Sequence, residues 1–123
     1  MHTTIEQIPV EVDLGQLITR GVECGAVYTR HITLPPGTDM RPLLRGLPGD
    51  SCPCPHWGQV LEGSITIQYD DGTMEICRAG DVYSWPAGHV GWTDEGAVFL
   101  ELSPTAEILP VLAHLGPQLV AAQ

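Results

Sequence analysis

Residues 52–56 read Cys-Pro-Cys-Pro-His, and a further histidine, His89, closes the run Trp-Pro-Ala-Gly-His. Cys52, Cys54 and His56 stand at alternate positions, and Asp50 extends the series upstream. Side chains of an extended strand repeat every two residues, so this spacing predicts all four on one face. Pro53 and Pro55 favour extended backbone in themselves and in the residue before each. Thiolate sulfur and imidazole nitrogen are the donors of tetrahedral zinc sites, and thiolate also suits Cu(I). The expectation is a divalent metal site of Cys52, Cys54, His56 and His89, with Asp50 or water as alternatives for the fourth position. Zinc is the first metal expected and copper the second. Two other readings of the thiols stay open. They can be small buried hydrophobes, or the ends of a strained, reducible Cys52–Cys54 disulfide in a redox sensor.

Other residues near this run invite a role. Tyr83 and Glu101 are acid/base candidates if their strands turn them inward, which strand parity alone does not decide. Arg41 and Arg45 precede the cysteines and could clamp a carboxylate. Trp57, Trp85 and Trp92 flank the motif and read as core, with one or two lining a pocket. Cys24 and Cys77 are isolated and read as core.

The elements that must position these groups are mostly strands. Residues 25–34 are rich in β-branched and aromatic types. Residues 35–55 are rich in proline and glycine and read as a long loop, a length that often marks function. WGQVLEG reads as a strand ending at a turn, and SITIQYD as a second strand with Ile65, Ile67 and Tyr69 on one face. TMEIC, DVYSWP, HVGWTD and GAVFLEL follow as short strands between Gly-containing turns, the rhythm of a barrel or sandwich. Before them, Ile5, Ile8, Val10, Val12 and Leu14 suit an edge strand, with Leu14–Arg20 as an alternative helical turn. At the other end, Ser103 reads as an N-cap and Pro104 as the first helical residue. Ile108, Leu109, Val111, Leu112 and Leu115 then form an apolar face. Pro110 should keep this helix short, with a second turn at 117–122.

Within this pattern, residues 50–103 resemble the cupin superfamily. Val60-Leu61-Glu62-Gly63 resembles the apolar pair and glycine that close the first cupin motif, and Gly80, Pro86 and Gly88 match the second. More narrowly, CPCPHWGQVLEG with YDDG and AGDVYSWPAGH is similar to small single-domain bacterial cupins. The resemblance implies an all-β chain: an antiparallel double-stranded β-helix, the cupin or jelly-roll barrel, with a short C-terminal helix. The usual cupin metal set is three His and one Glu, binding Mn, Fe or Ni. Here the first two His positions fall at Asp50 and Cys52, and the Glu position at His56. The last His position falls at Gly91, two residues after His89. The metal motif is therefore atypical.

Charge and length bound the rest. The 123 residues hold 5 Lys+Arg against 15 Asp+Glu, a net charge of −10, and every basic residue is arginine. That argues against nucleic acid and anionic lipid as partners. No apolar run approaches the ~20 residues of a membrane span, and no signal-peptide core opens the chain. A cytoplasmic protein with reduced thiols is expected. One cupin domain over 1–123 is expected, with the barrel over about 25–103 and a helical tail over 104–123. An edge strand and an apolar tail that both need cover predict a homodimer. The function expected is metal-assisted chemistry on a small organic molecule, of isomerase, cyclase, lyase or hydrolase type. The alternative is a non-catalytic sensor of ligand or metal. A closed ligand set would mark the sensor and an open position the enzyme. Oxygenase chemistry fits less well beside oxidisable thiolates.

Overall fold

Alternating apolar residues build nine antiparallel strands in a computed structural model, which describes residues 1–121. They are β1 (Val10–Asp13), β2 (Ile18–Cys24), β3 (Val27–Leu34), β4 (Thr38–Asp39) and β5 (His56–Tyr69), then β6 (Met74–Arg78), β7 (Val82–Trp85), β8 (His89–Thr93) and β9 (Ala97–Pro104). A one-turn helix α1 (Arg41–Leu44) interrupts the long loop, and α2 (Thr105–Ala121) ends the described chain. The main path runs β1-β2-β3-β9-β5-β8-β4, with β6 and β7 also paired to β5. The sheet curls on itself into the barrel expected, because β5 serves two faces. Its first half pairs β9 and β7, and its second half pairs β6 and β8. Ile32, Leu34, Val60, Ile65, Ile67 and Phe99 fill the interior between them.

This shared strand differs from the two strands and turn that the sequence suggests. Gly63 bends β5 without ending it. Its φ is +71°, and a Cβ there would lie 1.9 Å from the carbonyl oxygen of Gly96. The register with β9 slips between Val60 and Glu62. A bulge plus a glycine lets one strand turn a barrel corner while keeping its ladder.

Both ends of the chain also depart from expectation. Residues 18–20 belong to β2 and do not form a helical turn; of the expected edge strand only Val10–Asp13 forms, as β1 paired with β2, while Ile5–Gln7 make one 3-10 turn. Ser103 and Pro104 belong to β9 and do not cap a helix, because β3 continues to pair through Val27 and Pro104. The helix starts at Thr105, whose hydroxyl donates to the Gly25 carbonyl at 2.7 Å. It then runs as one helix through Pro110 and Pro117. Each proline costs helix stability, yet both lie on the exposed side. Ile108, Val111, Leu115 and Leu119, spaced three and four apart, are buried on the other side. Burial of that face outweighs the loss, since tertiary packing supplies most helix stability in proteins. Leu109 is exposed and Leu112 half-buried, so the buried stripe is narrower than expected. The second turn expected at 117–122 is helix as far as Ala121; Ala122 lies outside the described residues. Among the described residues, no helix is long and apolar enough to cross a membrane.

Candidate metal centre

Three of the expected ligands converge. The donor atoms of Cys52, His56 and His89 all lie within 4.8 Å of one another, and all three residues are buried. Cys52 is placed by a two-bond backbone bridge to β8. Its N–H donates to the His89 carbonyl, and the Gly88 N–H donates to the Cys52 carbonyl, each at 2.8 Å. Residues directly opposite in such a bridge turn their side chains to the same side. His56 opens β5 opposite Trp85 of β7. The imidazoles of His56 and His89 meet edge to face, centroids 5.0 Å apart.

Each imidazole is oriented by an oxygen on its far nitrogen. His89 Nδ1–H donates to the Pro86 carbonyl at 2.8 Å, and His56 Nδ1 hydrogen-bonds the Ser103 hydroxyl at 2.7 Å. Nε2 is thereby left as the free nitrogen of each ring, the arrangement that partners of metal-binding histidines enforce. The Cys52 sulfur stands 3.4 Å from His56 Nε2. A tetrahedral zinc site with Zn–S about 2.3 Å and Zn–N about 2.0 Å has an S···N edge of roughly 3.5 Å. The donor set thus fits such an ion in chemistry and in this spacing.

Cys54 and Asp50 are not drawn into the group. The chain bends at Cys54 as it leaves the bridge at Cys52 for β5, so the strict alternation expected over 50–56 is broken. Cys54 is fully buried among Leu44, Ile108 and Val111 beneath α2. Its sulfur faces the Pro55 carbonyl at 3.4 Å. The Asp50 carboxylate accepts from the Gly46 N–H at 3.0 Å and holds the loop. Cys52 and Cys54 are both free thiols. Cys77 is buried as expected, whereas Cys24 is exposed, because β2 turns it outward at the hairpin to β3.

Burial sets the protonation states. It pushes the Cys52 thiol up to about 11. It pushes His56 below its ordinary value, and His89 down to about 4 with help from the neighbouring His56. Both imidazoles are therefore neutral near pH 7, the form that ligates. Burial opposes ionisation of Glu101, but His56 and Arg30 beside it outweigh that and hold its carboxyl below the ordinary range. Glu101 Oε1 is 3.7 Å from His56 Nδ1, and its Oε2 accepts from Arg30 Nη1 at 3.2 Å. Arg30 also donates through Nε to Glu11 at 2.9 Å, and Glu11 accepts from the Tyr28 hydroxyl at 2.7 Å.

These groups open on a cavity of about 100 Å³. Its polar wall holds Cys52, His56, His89, Glu101, Arg30 and Thr19; the rest is apolar, including Ile32, Ile65, Ile67, Trp85 and Phe99. Ile108, Val111, Leu115 and Leu119 of α2 line one side of it. Of the acid/base candidates only Glu101 faces it. The Tyr83 hydroxyl donates to the Leu100 carbonyl at 2.7 Å, and its ring stacks on Trp85. Trp85 is the tryptophan on the wall, while Trp57 is 46 % exposed and Trp92 lies under the Arg41 guanidinium. Arg41 is paired with Asp39 at 2.9 Å, and Arg45 is exposed. The cavity arginine is Arg30, which sequence reasoning passed over as one strand residue among others. Only its register partner, Glu101, reveals it: the two face each other across β3 and β9.

No protein-family model and no curated protein matches the sequence. Solved structures do match in fold. An RmlC-like cupin from Shewanella frigidimarina is 18 % identical, with 87 % of this chain and 93 % of that one covered and a TM-score of 0.61. A structural-genomics protein of unknown function from Rhizobium leguminosarum gives 18 %, 85 %, 95 % and 0.63 in the same order. The oxalate decarboxylase of Bacillus subtilis, described with Mn(II) centres, is 17 % identical with a TM-score of 0.58. That match spans 83 % of this chain but 28 % of the decarboxylase.

Proposed function

We propose that this chain, which has the cupin fold, binds a divalent metal through Cys52, His56 and His89 and uses it on a small organic molecule held in the barrel. The observation that carries this reading is the convergence of three buried donors, with Nδ1 of both imidazoles held by an oxygen and Nε2 left free. Zinc suits one thiolate and two imidazoles best. The Mn(II) of the decarboxylase favours a harder ion, for which Glu101 would have to join the ligands. Zinc there would supply Lewis acidity. The chain's own residues would do the rest. Glu101, kept ionised by Arg30, faces the same cavity and is placed to take a proton from a molecule bound there. Ser103 and Pro86 orient the two imidazoles, and α2 adds an apolar side to the cavity. Isomerisation, cyclisation, elimination and hydrolysis all fit an acceptor carboxylate beside a Lewis acid; the fold alone does not choose among them.

The runner-up is a non-catalytic sensor of metal or ligand. The burial of all three donor residues favours it, since turnover requires exchange with solvent. The four free thiols suit a reducing compartment such as the cytoplasm. A homodimer is part of the same proposal. Trp57 and Leu102 are register partners on the outer face of β5 and β9, and both are exposed, with the still more exposed Val82 alongside on β7.

Elemental analysis after purification without added metal tests the site. Cys52→Ser, His56→Ala and His89→Ala should each lose the metal, while Cys24→Ser and Cys77→Ser retain it. Equal retention in all five would refute the centre. Full occupancy by manganese in place of zinc would refute the choice of ion.

A further inference from the structure

Glu11 is the residue through which the outermost strand, β1, reaches the barrel interior. The register of β1 with β2 slips between Val10 and Val12, so Glu11 is the extra residue of a bulge. A bulge re-aims the side chain it carries. The Glu11 carboxylate passes over Gly21 of β2 and accepts from Arg30 of β3, which stands directly opposite Gly21. Gly21 leaves the room for this. A Cβ there would collide with the Glu11 carboxylate and lie 2.6 Å from the Tyr28 ring. Gly21 does not have a positive φ, so space and not backbone conformation is what a side chain would lack.

Arg30 in turn faces Glu101 across β3 and β9. A guanidinium and a carboxylate left to themselves favour a fork of two parallel hydrogen bonds. This pair does not make one. Arg30 Nε donates to Glu11 Oε1 at 2.9 Å, and Glu101 receives a single bond, from Nη1 to Oε2, at a longer 3.2 Å. The Tyr28 hydroxyl holds the other Glu11 oxygen at 2.7 Å. Among the described residues, Glu101 Oε1 accepts no hydrogen bond, and it stands 3.7 Å from His56 Nδ1. Two carboxylates on one guanidinium also leave a negative charge in excess, and excess charge in a buried site is costly. Stability alone would be better served by a neutral Arg30–Glu101 fork without Glu11.

We infer that Glu11 is a positioning residue for Glu101. Anchored through Nε, the guanidinium presents Nη1 alone to Glu101, and Oε1 is left unbonded beside His56 as an acceptor. The bulge and Gly21 let β1 do this from two strands away. The value of a free Oε1 rests on the reading of Glu101 as the proton acceptor of the metal site; the geometry itself does not.

Crystal structures of the full-length protein, with and without zinc, test this in Glu11→Met, Glu11→Ala, Glu11→Gln and Gly21→Ala, beside zinc content and urea melts of the same proteins. Met fills the space of Glu11 without an acceptor, and Gln keeps an acceptor for Nε–H without the charge. In the Met and Ala variants Glu101 should close the fork, its Oε1 gaining an Arg30 nitrogen at about 3 Å and moving away from His56. Gly21→Ala should expel the Glu11 carboxylate and give the same fork, and it carries the test with Glu11→Met if Glu11→Ala does not fold. Glu11→Gln should keep the wild-type arrangement. A residue kept for stability alone would shift the urea midpoint and leave Glu101 on its single bond. That result in Glu11→Met, a fork in Glu11→Gln, or Glu101 bound to zinc in the wild type would overturn the inference. If zinc binds and Glu101 does not move in Glu11→Met, the positioning role fails and the metal centre stands. If the fork forms there and the wild type binds no metal, the reverse holds.

Discussion

Zinc binding near pH 6.5 should release one proton from the protein, and the count follows from how deeply the ligands are buried. The thiolate is the ligand, but burial raises the Cys52 thiol from its ordinary 9.0 to about 11. It is protonated at any pH near neutral, so its proton must leave when zinc enters. His56 and His89 are pushed the other way by burial, below 6.5, and reach the metal already neutral. The apparent zinc affinity should therefore climb about tenfold per pH unit above this point. The two-unit rise of the thiol makes binding at neutral pH about 100-fold weaker than an exposed thiol would allow, about 3 kcal/mol. Cys54 gives the count its diagnostic value. Burial, with the Cys52 sulfur nearby, pushes its thiol up to about 12. If Cys54 also ligated, as the Cys-Pro-Cys-Pro-His spacing suggests, two protons would leave and the slope would double. Calorimetry in buffers of different ionisation enthalpy reads the number directly. A count near zero would show that no thiolate binds the metal. A count near two would refute the exclusion of Cys54 by the bend in the chain.

Three further outcomes are expected. Ser103→Ala should lower zinc affinity by about 10- to 100-fold in chelator competition, because His56 loses the oxygen that orients it; unchanged affinity would remove Ser103 from the site. The metal-free protein should lose stability as pH falls from about 6.5 to about 4, since the unfolded chain protonates His89 before the folded one does. The loss from His89 is about 3 kcal/mol. Urea melts across that range should show it, and His89→Gln should flatten the profile; an unflattened profile would mean that His89 is not buried neutral. Trp57→Arg should convert a dimer to monomer in sedimentation velocity, and wild-type protein that sediments as a monomer at high concentration would dispose of the dimer outright.

Period-two alternation and glycine turns are local signals, and they made most of the barrel legible in the sequence. β3, β6, β7, β8 and β9 lie where the apolar runs and turns indicate, because a strand's alternation follows from its own residues. The cysteine and histidine chemistry was legible too, as donor types. What the sequence could not decide is whatever depends on register between distant segments. Gly63 reads as a turn in isolation, and only contact with Gly96 makes it a bend within one long strand. Ser103 reads as a helix cap until pairing with β3 keeps it in β9 and pairing of β9 with β5 carries it to His56. Arg30 and Glu101 are 71 residues apart and meet only across that same ladder. Cys52 and Cys54 are equivalent as sequence. The backbone bridge from Cys52 to His89 turns one sulfur to the cavity, and the bend that follows buries the other beneath α2. The helix itself survives two prolines because its apolar face packs with Leu44, Cys52 and Cys54, a gain that exists only once the barrel has formed.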